Sequence, residues 1–292
     1  MASSDSLSTT VALRSGTVEY TVRGPQESSQ PPVVFIHGVG VDNRMWADVA
    51  DLLADAGYRS YAPTLPLGAH RIPWGGAGDR SPGGVARAIR EFVAELGLEQ
   101  VTLVGCDTGG ALCQFALDQD PTFASRVVFT NCDCFDQFPP QPFPVVFTLL
   151  KYPWLTHALM AGPMRIRALR HSPLGVGLLV SDPDPELTES IFEPLRSDPA
   201  VRDDLAAFLR AVDPAELAAI TPRLSTVPAP ISVVWGMSDR AFRPKLGRRL
   251  AAVFEQATFT EVPDSRTFVA MDQPRALADA IVDISRRPVQ VG

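Results

Sequence analysis

The sequence predicts an α/β fold: a mostly parallel eight-stranded sheet flanked by helices, with an inserted helical cap. Three observations predict it. Short apolar runs suited to buried strands alternate with segments of helical periodicity. A motif of small residues around an acid, Gly105-Cys106-Asp107-Thr108-Gly109, joins one such strand to one such helix. The alternation stops at Asn131 and resumes at Ile231, and 15 of the 27 prolines fall between them.

The elements follow in order. Thr9 to Val22 reads as two strands around the turn Arg14-Ser15-Gly16-Thr17. Val33 to Ile36 is a continuous apolar run, as a strand buried on both faces requires. Met45 to Ala56 has helical spacing, with Asp42 or Asn43 as its cap. Tyr58 to Ala62 is a short strand, and Pro63 to Pro82 is a Gly- and Pro-rich loop. Gly83 to Leu96 places Val85, Ile89, Phe92, Val93 and Leu96 on one helical face. A strand from Val101 runs into the motif, a helix continues to about Leu117, and Val127 to Thr130 is the next strand. The insertion holds short helical pieces at about 155–170, 186–196 and 200–211. Ile231 to Gly236 and Thr258 to Val262 complete the strands, and helices follow at Pro244 to Phe254 and Pro274 to Ile284. The expected division is a core of residues 1–133 and 222–292 and a cap of 134–221.

Composition bounds the function. The 292 residues are 46% hydrophobic and 20% charged, an ordinary globular balance that excludes disordered and fibrous classes. A net charge of −7 argues against nucleic acid or an anionic membrane as partner. No apolar run is long enough to span a bilayer, and Met1 to Thr10 is too polar for a signal peptide. Cys106, Cys113, Cys132 and Cys134 fall within 29 residues, a pattern that suits reduced thiols in the cytoplasm. Neither they nor the histidines complete a metal-ligand spacing, so no metal is expected. There are four histidines, at 37, 70, 157 and 171, and none in the last 121 residues.

The strand–motif–helix context is that of a nucleophile elbow, which thrusts its middle residue out at a helix N-terminus. A tight turn in which Asp107 merely caps the helix is the plainer alternative. His37-Gly38-Val39 follows an earlier strand, and Asp239 follows Trp235-Gly236-Met237-Ser238. In this order the features resemble the α/β-hydrolase fold superfamily over nearly the whole chain, in its epoxide hydrolase and haloalkane dehalogenase-like branch. The resemblance implies oxyanion-hole N–H groups on Val39 and Thr108, a nucleophilic Asp107, a triad acid at Asp239, and no cofactor. It makes His37 a residue of the turn, structural in most members.

The departures discriminate within that branch. Thr267 stands where the resemblance calls for the triad histidine, and threonine is no base near neutral pH. Thr108 and Val39 replace the Trp and Asn that bind halide in dehalogenases. One cap tyrosine, Tyr152, with Trp154 beside it, stands where epoxide hydrolases present two. His70, in a loop that rims the site in this fold, and the cap's His157 are candidates to replace the base; both also fit as surface residues. Asp133 follows the sixth strand, either as an alternative triad acid or as a turn cap. Phe138 and its aromatic neighbours in the insertion suit a pocket for a flat apolar substrate, or simple core packing.

The expected activity is therefore hydrolytic opening of an activated epoxide on an aromatic or polycyclic small molecule, plausible in secondary metabolism. Asp107 would act as nucleophile or general base, Tyr152 or Trp154 as hydrogen-bond donor, and His37, His70, Asp133, Phe138 and Thr267 around the substrate. A rearrangement or cyclisation enzyme and a degenerate binding protein are the rivals. Monomer and homodimer both stay open.

Overall fold

The computed structural model describes residues 8–75, 78–173 and 175–289. Most of the polar stretch Met1 to Thr10 lies outside them. Eight strands form one sheet in the order β1-β2-β4-β3-β5-β6-β7-β8. They are β1 (Ser8–Ala12), β2 (Thr17–Arg23), β3 (Val33–Ile36), β4 (Ser60–Thr64), β5 (Thr102–Asp107), β6 (Arg126–Cys132), β7 (Ile231–Gly236) and β8 (Thr258–Val262). β1, β2 and β4 pair antiparallel, and every pairing from β4 through β8 is parallel. The predicted hairpin and strands are present, with β4 displaced two residues toward the C-terminus.

Between the strands lie α1 (Ala47–Asp55), α2 (Pro82–Glu95) and α3 (Thr108–Gln119). Asp42 caps a short 3₁₀ turn, Asn43–Trp46, that leads into α1. Ser81 caps α2 by accepting from the Gly84 N–H. Among the described residues, seven α-helices separate β6 from β7: α4 (Phe143–Leu150), α5 (Pro153–Ala161), α6 (Arg167–Arg170), α7 (Pro185–Ile191), α8 (Glu193–Ser197), α9 (Pro199–Ala211) and α10 (Pro214–Arg223). The chain closes with α11 (Pro244–Ala251), α12 (Val269–Asp272) and α13 (Pro274–Ser285).

The single helix expected over 155–170 is broken at Gly162-Pro163, where proline removes a ladder donor and clashes with the preceding turn. Three helices went unpredicted: α4, α10 and the four-residue α12. The aromatic and β-branched run of α4 has no helical stripe, and α10 hides behind Pro214 although Asp213 caps it.

The strand period of two divides the core. Val33, Phe35, Val104, Val128 and Val234 face one side and pack with α1 and α13. Val34, Ile36, Leu103, Val127 and Val233 face the other and pack with α2 and α3. Because both faces are covered, the strands read as unbroken apolar runs. Asp107, Asn131, Asp133 and Asp239, described next, lie at or just beyond the carboxyl ends of these strands, where open parallel sheets bind their ligands.

Candidate active site

Asp107 ends β5 with φ 54° and ψ −135°, a left-handed conformation costly for a residue with a Cβ. The strain persists because the surroundings leave no slack. A Cβ on Gly109 would overlap the Ile36 and His37 carbonyls of the neighbouring strand, so α3 packs against β3 backbone to backbone. A Cβ on Gly38 would overlap Asp107 Oδ2, so the carboxylate lies directly on the turn after β3. The N–H groups of Thr108 and Val39 are directed at that carboxylate and favour its ionised form. Burial is the larger influence and, with the nearby charge of Asp239, pushes the carboxyl up to about 7.

Asp239 and Thr267 meet as their order in the sequence requires. The Thr267 hydroxyl donates to Asp239 Oδ2 at 2.9 Å. Asn131 Nδ2 donates to the same oxygen at 2.7 Å, and the Ala241 and Phe242 N–H groups donate to Oδ1 at 2.7 and 3.0 Å. Burial nevertheless pushes the Asp239 carboxyl up to about 6, with these four donors opposing it. Thr267 thus offers Asp239 one hydrogen bond and has no basic atom to offer Asp107. Its own carbonyl accepts from Cys106 Sγ at 3.4 Å, beside the elbow.

Asp133 is a third carboxyl in the same region, completely buried. Its N–H donates to the Asp107 carbonyl at 3.3 Å. Its Oδ2 accepts from the Thr108 hydroxyl at 3.1 Å, and its Oδ1 has no partner. Burial first, and the charge of Asp107 second, push this carboxyl well above the ordinary range. Burial and the neighbouring Asp107 charge thus favour the protonated form of Asp133. Gln114 supports the turn by donating to the Asp133 carbonyl at 2.8 Å and accepting from Thr221 at 2.7 Å.

The histidines are engaged elsewhere. His37 Nε2 accepts from the Leu65 N–H at 2.8 Å, so its proton is on Nδ1, which donates to the Gly38 carbonyl at 2.8 Å. Burial pulls its pKa down to about 4, which keeps the ring neutral. His70 Nδ1 accepts from the Gly68 N–H at 3.3 Å, and its Nε2 faces Asp204 Oδ2 at 3.2 Å. His70 is 3% exposed, so it is a tether between its loop and α9 rather than a surface residue. His157 is exposed, and His171 bonds to Thr188. Among the described residues, no imidazole hydrogen-bonds to Asp107, Asp133 or Asp239.

Two expected positions differ. Tyr152 and Trp154 are 53% and 70% exposed on the outer side of α5, so their side chains face solvent instead of sharing the enclosure of Asp107. Phe138 is buried in the core that α2 and α3 share with the sheet. Sequence reasoning missed Asn131 and Asp204. Asn131 had a signal, a polar residue in an otherwise apolar strand end. Asp204 had none, because its partners are 124 to 134 residues away. Asp204 also accepts from the Trp74 N–H at 2.8 Å and from Arg80 Nε at 2.7 Å. Asp204→Ala would strand all three donors and is expected to cost about 3 kcal/mol, read as a lowered midpoint in urea unfolding.

The profile of the Alpha/beta hydrolase family matches residues 33–280. The chain belongs to this family. This hydrolase is 27% identical over 269 residues to "Haloalkane dehalogenase 2" of Mycobacterium tuberculosis, with 88% of each chain covered. It is 29% identical over 228 residues to a 2-hydroxy-6-oxononadienedioate/2-hydroxy-6-oxononatrienedioate hydrolase of Klebsiella pneumoniae, with 75% of each covered. A crystal structure of a haloalkane dehalogenase loop variant from Bradyrhizobium elkanii superposes with a TM-score of 0.75 at 17% identity, covering 96% of this hydrolase and 97% of that chain. The last likeness shows the fold. No helix among the described residues is long and apolar enough to cross a membrane.

Proposed function

We propose that this hydrolase opens an activated epoxide on an aromatic or polycyclic small molecule, with Asp107 supplying the carboxylate and Asp133 the proton. The observation that carries the reading is a buried elbow carboxyl, pushed up to about 7 by its burial, to which no imidazole among the described residues is bonded. An alkyl ester on Asp107 would then lack the base that normally hydrolyses it. Direct hydration needs none. The Asp107 carboxylate takes a proton from water, the water oxygen bonds to the epoxide carbon, and the ring C–O bond breaks. The departing oxygen takes the Asp133 proton, and Asp107 returns one to Asp133. Two carboxyls pushed apart in proton affinity divide base and acid between them. This assignment replaces Tyr152 and Trp154 as donors. Residues 134–221 form the cap in this reading, on a core of 1–133 and 222–292. The four free buried cysteines suit a cytoplasmic setting in secondary metabolism.

The test is turnover of an epoxide panel by wild type and Asp107→Asn, with single turnover in ¹⁸O-labelled water. Label in the diol and none in Asp107 is expected; label in Asp107 would establish the ester instead. Asp133→Asn is expected to lower kcat about a hundredfold and to remove the alkaline limb of the pH–rate profile. An unchanged profile would assign the proton to another group. A second reading, non-hydrolytic rearrangement or cyclisation, uses the same acid pair and is favoured by the near-complete burial of all three carboxyls. A product without the mass of added water would select it.

A further inference from the structure

Two loops that carry site residues also bound a groove of opposite character. It is bounded by the loop after β6, with Asp136, Gln137 and Gln141, and by the loop after β7 and the start of α11, with Arg240, Arg243, Lys245 and Arg249. Its volume is about 450 Å³, within the range of ~300–1,000 Å³ typical of small-molecule sites. Asp133 stands three positions before Asp136, and Asp239 immediately precedes Arg240. Ala241, which lines the groove, donates its N–H to Asp239 Oδ1, as does Phe242.

The charges in this groove work against the fold. Among the described residues, Arg240, Arg243 and Lys245 have no side-chain hydrogen bond or ion pair. The protein as a whole is acidic, with net charge −7, so a cluster of unpaired cations does not follow from its composition. Arg243 is the N-cap of α11 and Lys245 is in its first turn, which has no acidic residue. Cations at a helix N-terminus oppose the macrodipole, and cations beside one another repel. Only Arg249 is partly neutralised, by Asp136 at 3.3 Å, and its guanidinium stacks at 3.7 Å on the Phe135 ring. An anion placed here would relieve each of these repulsions.

We propose that the groove binds a carboxylate or equivalent anionic group of the substrate, so that the molecule processed at Asp107 is an organic anion. This rests on the small-molecule reading above and narrows its substrate class. Arg240, Arg243 and Lys245 would hold the anionic end, while Leu246 and the stacked Arg249 face its apolar body.

Binding is separable from turnover. Phthalate, neutral phthalamide and inorganic sulfate are titrated by calorimetry into wild type, Asp107→Asn and the triple variant R240Q/R243Q/K245Q. Phthalate is expected to bind wild type and Asp107→Asn alike, at least tenfold more tightly than phthalamide or sulfate. The triple variant is expected to lose at least tenfold in phthalate affinity. Its substitutions are on exposed side chains, and an unchanged melting temperature certifies its fold. Sulfate binding as tightly as phthalate would mean a nonspecific counterion site and overturn the proposal. So would phthalate affinity that is absent or unmoved by the triple variant. The epoxide reading fails separately, through the turnover of Asp107→Asn, because the calorimetry involves no chemistry.

Discussion

Asp107→Asn is expected to lower turnover by two to four orders of magnitude and, at the same time, to stabilise the protein above neutral pH. The first effect is the loss of a positioned base or nucleophile, worth about 10²–10⁴ in rate. The second follows from linkage. The Asp107 carboxyl rises from 3.8 to about 7 on folding, chiefly through burial. Between those values the folded state holds a proton that the unfolded state has released, so stability falls as pH climbs through this window. Three units correspond to about 4 kcal/mol, an upper bound because the acids share their protons. Asp239, pushed up to about 6, acts in the same direction. Asparagine is neutral at every pH, and it tolerates positive φ better than most residues. Wild type is therefore expected to lose melting temperature between pH 5 and pH 8, and Asp107→Asn to lose much less. Parallel melting curves for the two proteins would refute the linkage, and equal turnover would remove Asp107 from the chemistry.

Gly109→Ala is expected to cost about 3 kcal/mol and to reduce turnover about a hundredfold, although alanine is the better helix former by ~1 kcal/mol. In an exposed helix propensity would win. At Gly109 the new Cβ meets the backbone carbonyls of Ile36 in β3 and of His37 just after it, which cannot move aside as a flexible side chain would. Relief requires α3 to shift from the sheet, carrying the Thr108 N–H away from the Asp107 carboxylate, and a displacement of about 1 Å is enough to cost 10²-fold in rate. Gly83→Ala is the control. In α2, its Cβ would have its nearest neighbour, the flexible end of Gln119 in α3, at 3.6 Å, so that substitution is expected to be neutral or slightly stabilising. Urea denaturation and steady-state kinetics of the two variants decide the matter. A neutral Gly109→Ala would mean that the strand–helix contact is softer than its geometry.

The legible part of the fold was the part governed by local pattern. The strands β3, β5, β6 and β7 are buried on both faces, so their apolar runs had one reading. The elbow was legible because a sharp strand–helix turn needs small residues at fixed offsets. The helices α4, α10 and α12 were not: α4 is apolar without a stripe, α10 packs on the sequence-distant α3, and α12 is a single turn. Among the site residues, the meeting of Thr267 with Asp239 was implied by family order, whereas the attachment of His70 to Asp204 was carried by no motif.

The sequence by itself determined the architecture and the acid at the strand–helix turn, since each follows from residue types at short, fixed spacings; that Thr267 stands at a triad position is what the family resemblance implies. Only the tertiary structure decided which groups are available for chemistry. It committed both nitrogens of His37 and of His70 to the scaffold, left Tyr152 and Trp154 facing solvent, and buried Asp133 beside Asp107 with one oxygen unpaired. Proton affinity and hydrogen-bond commitment depend on desolvation and on partners brought together from distant parts of the chain. Those quantities exist only once the sheet has closed and its loops have met.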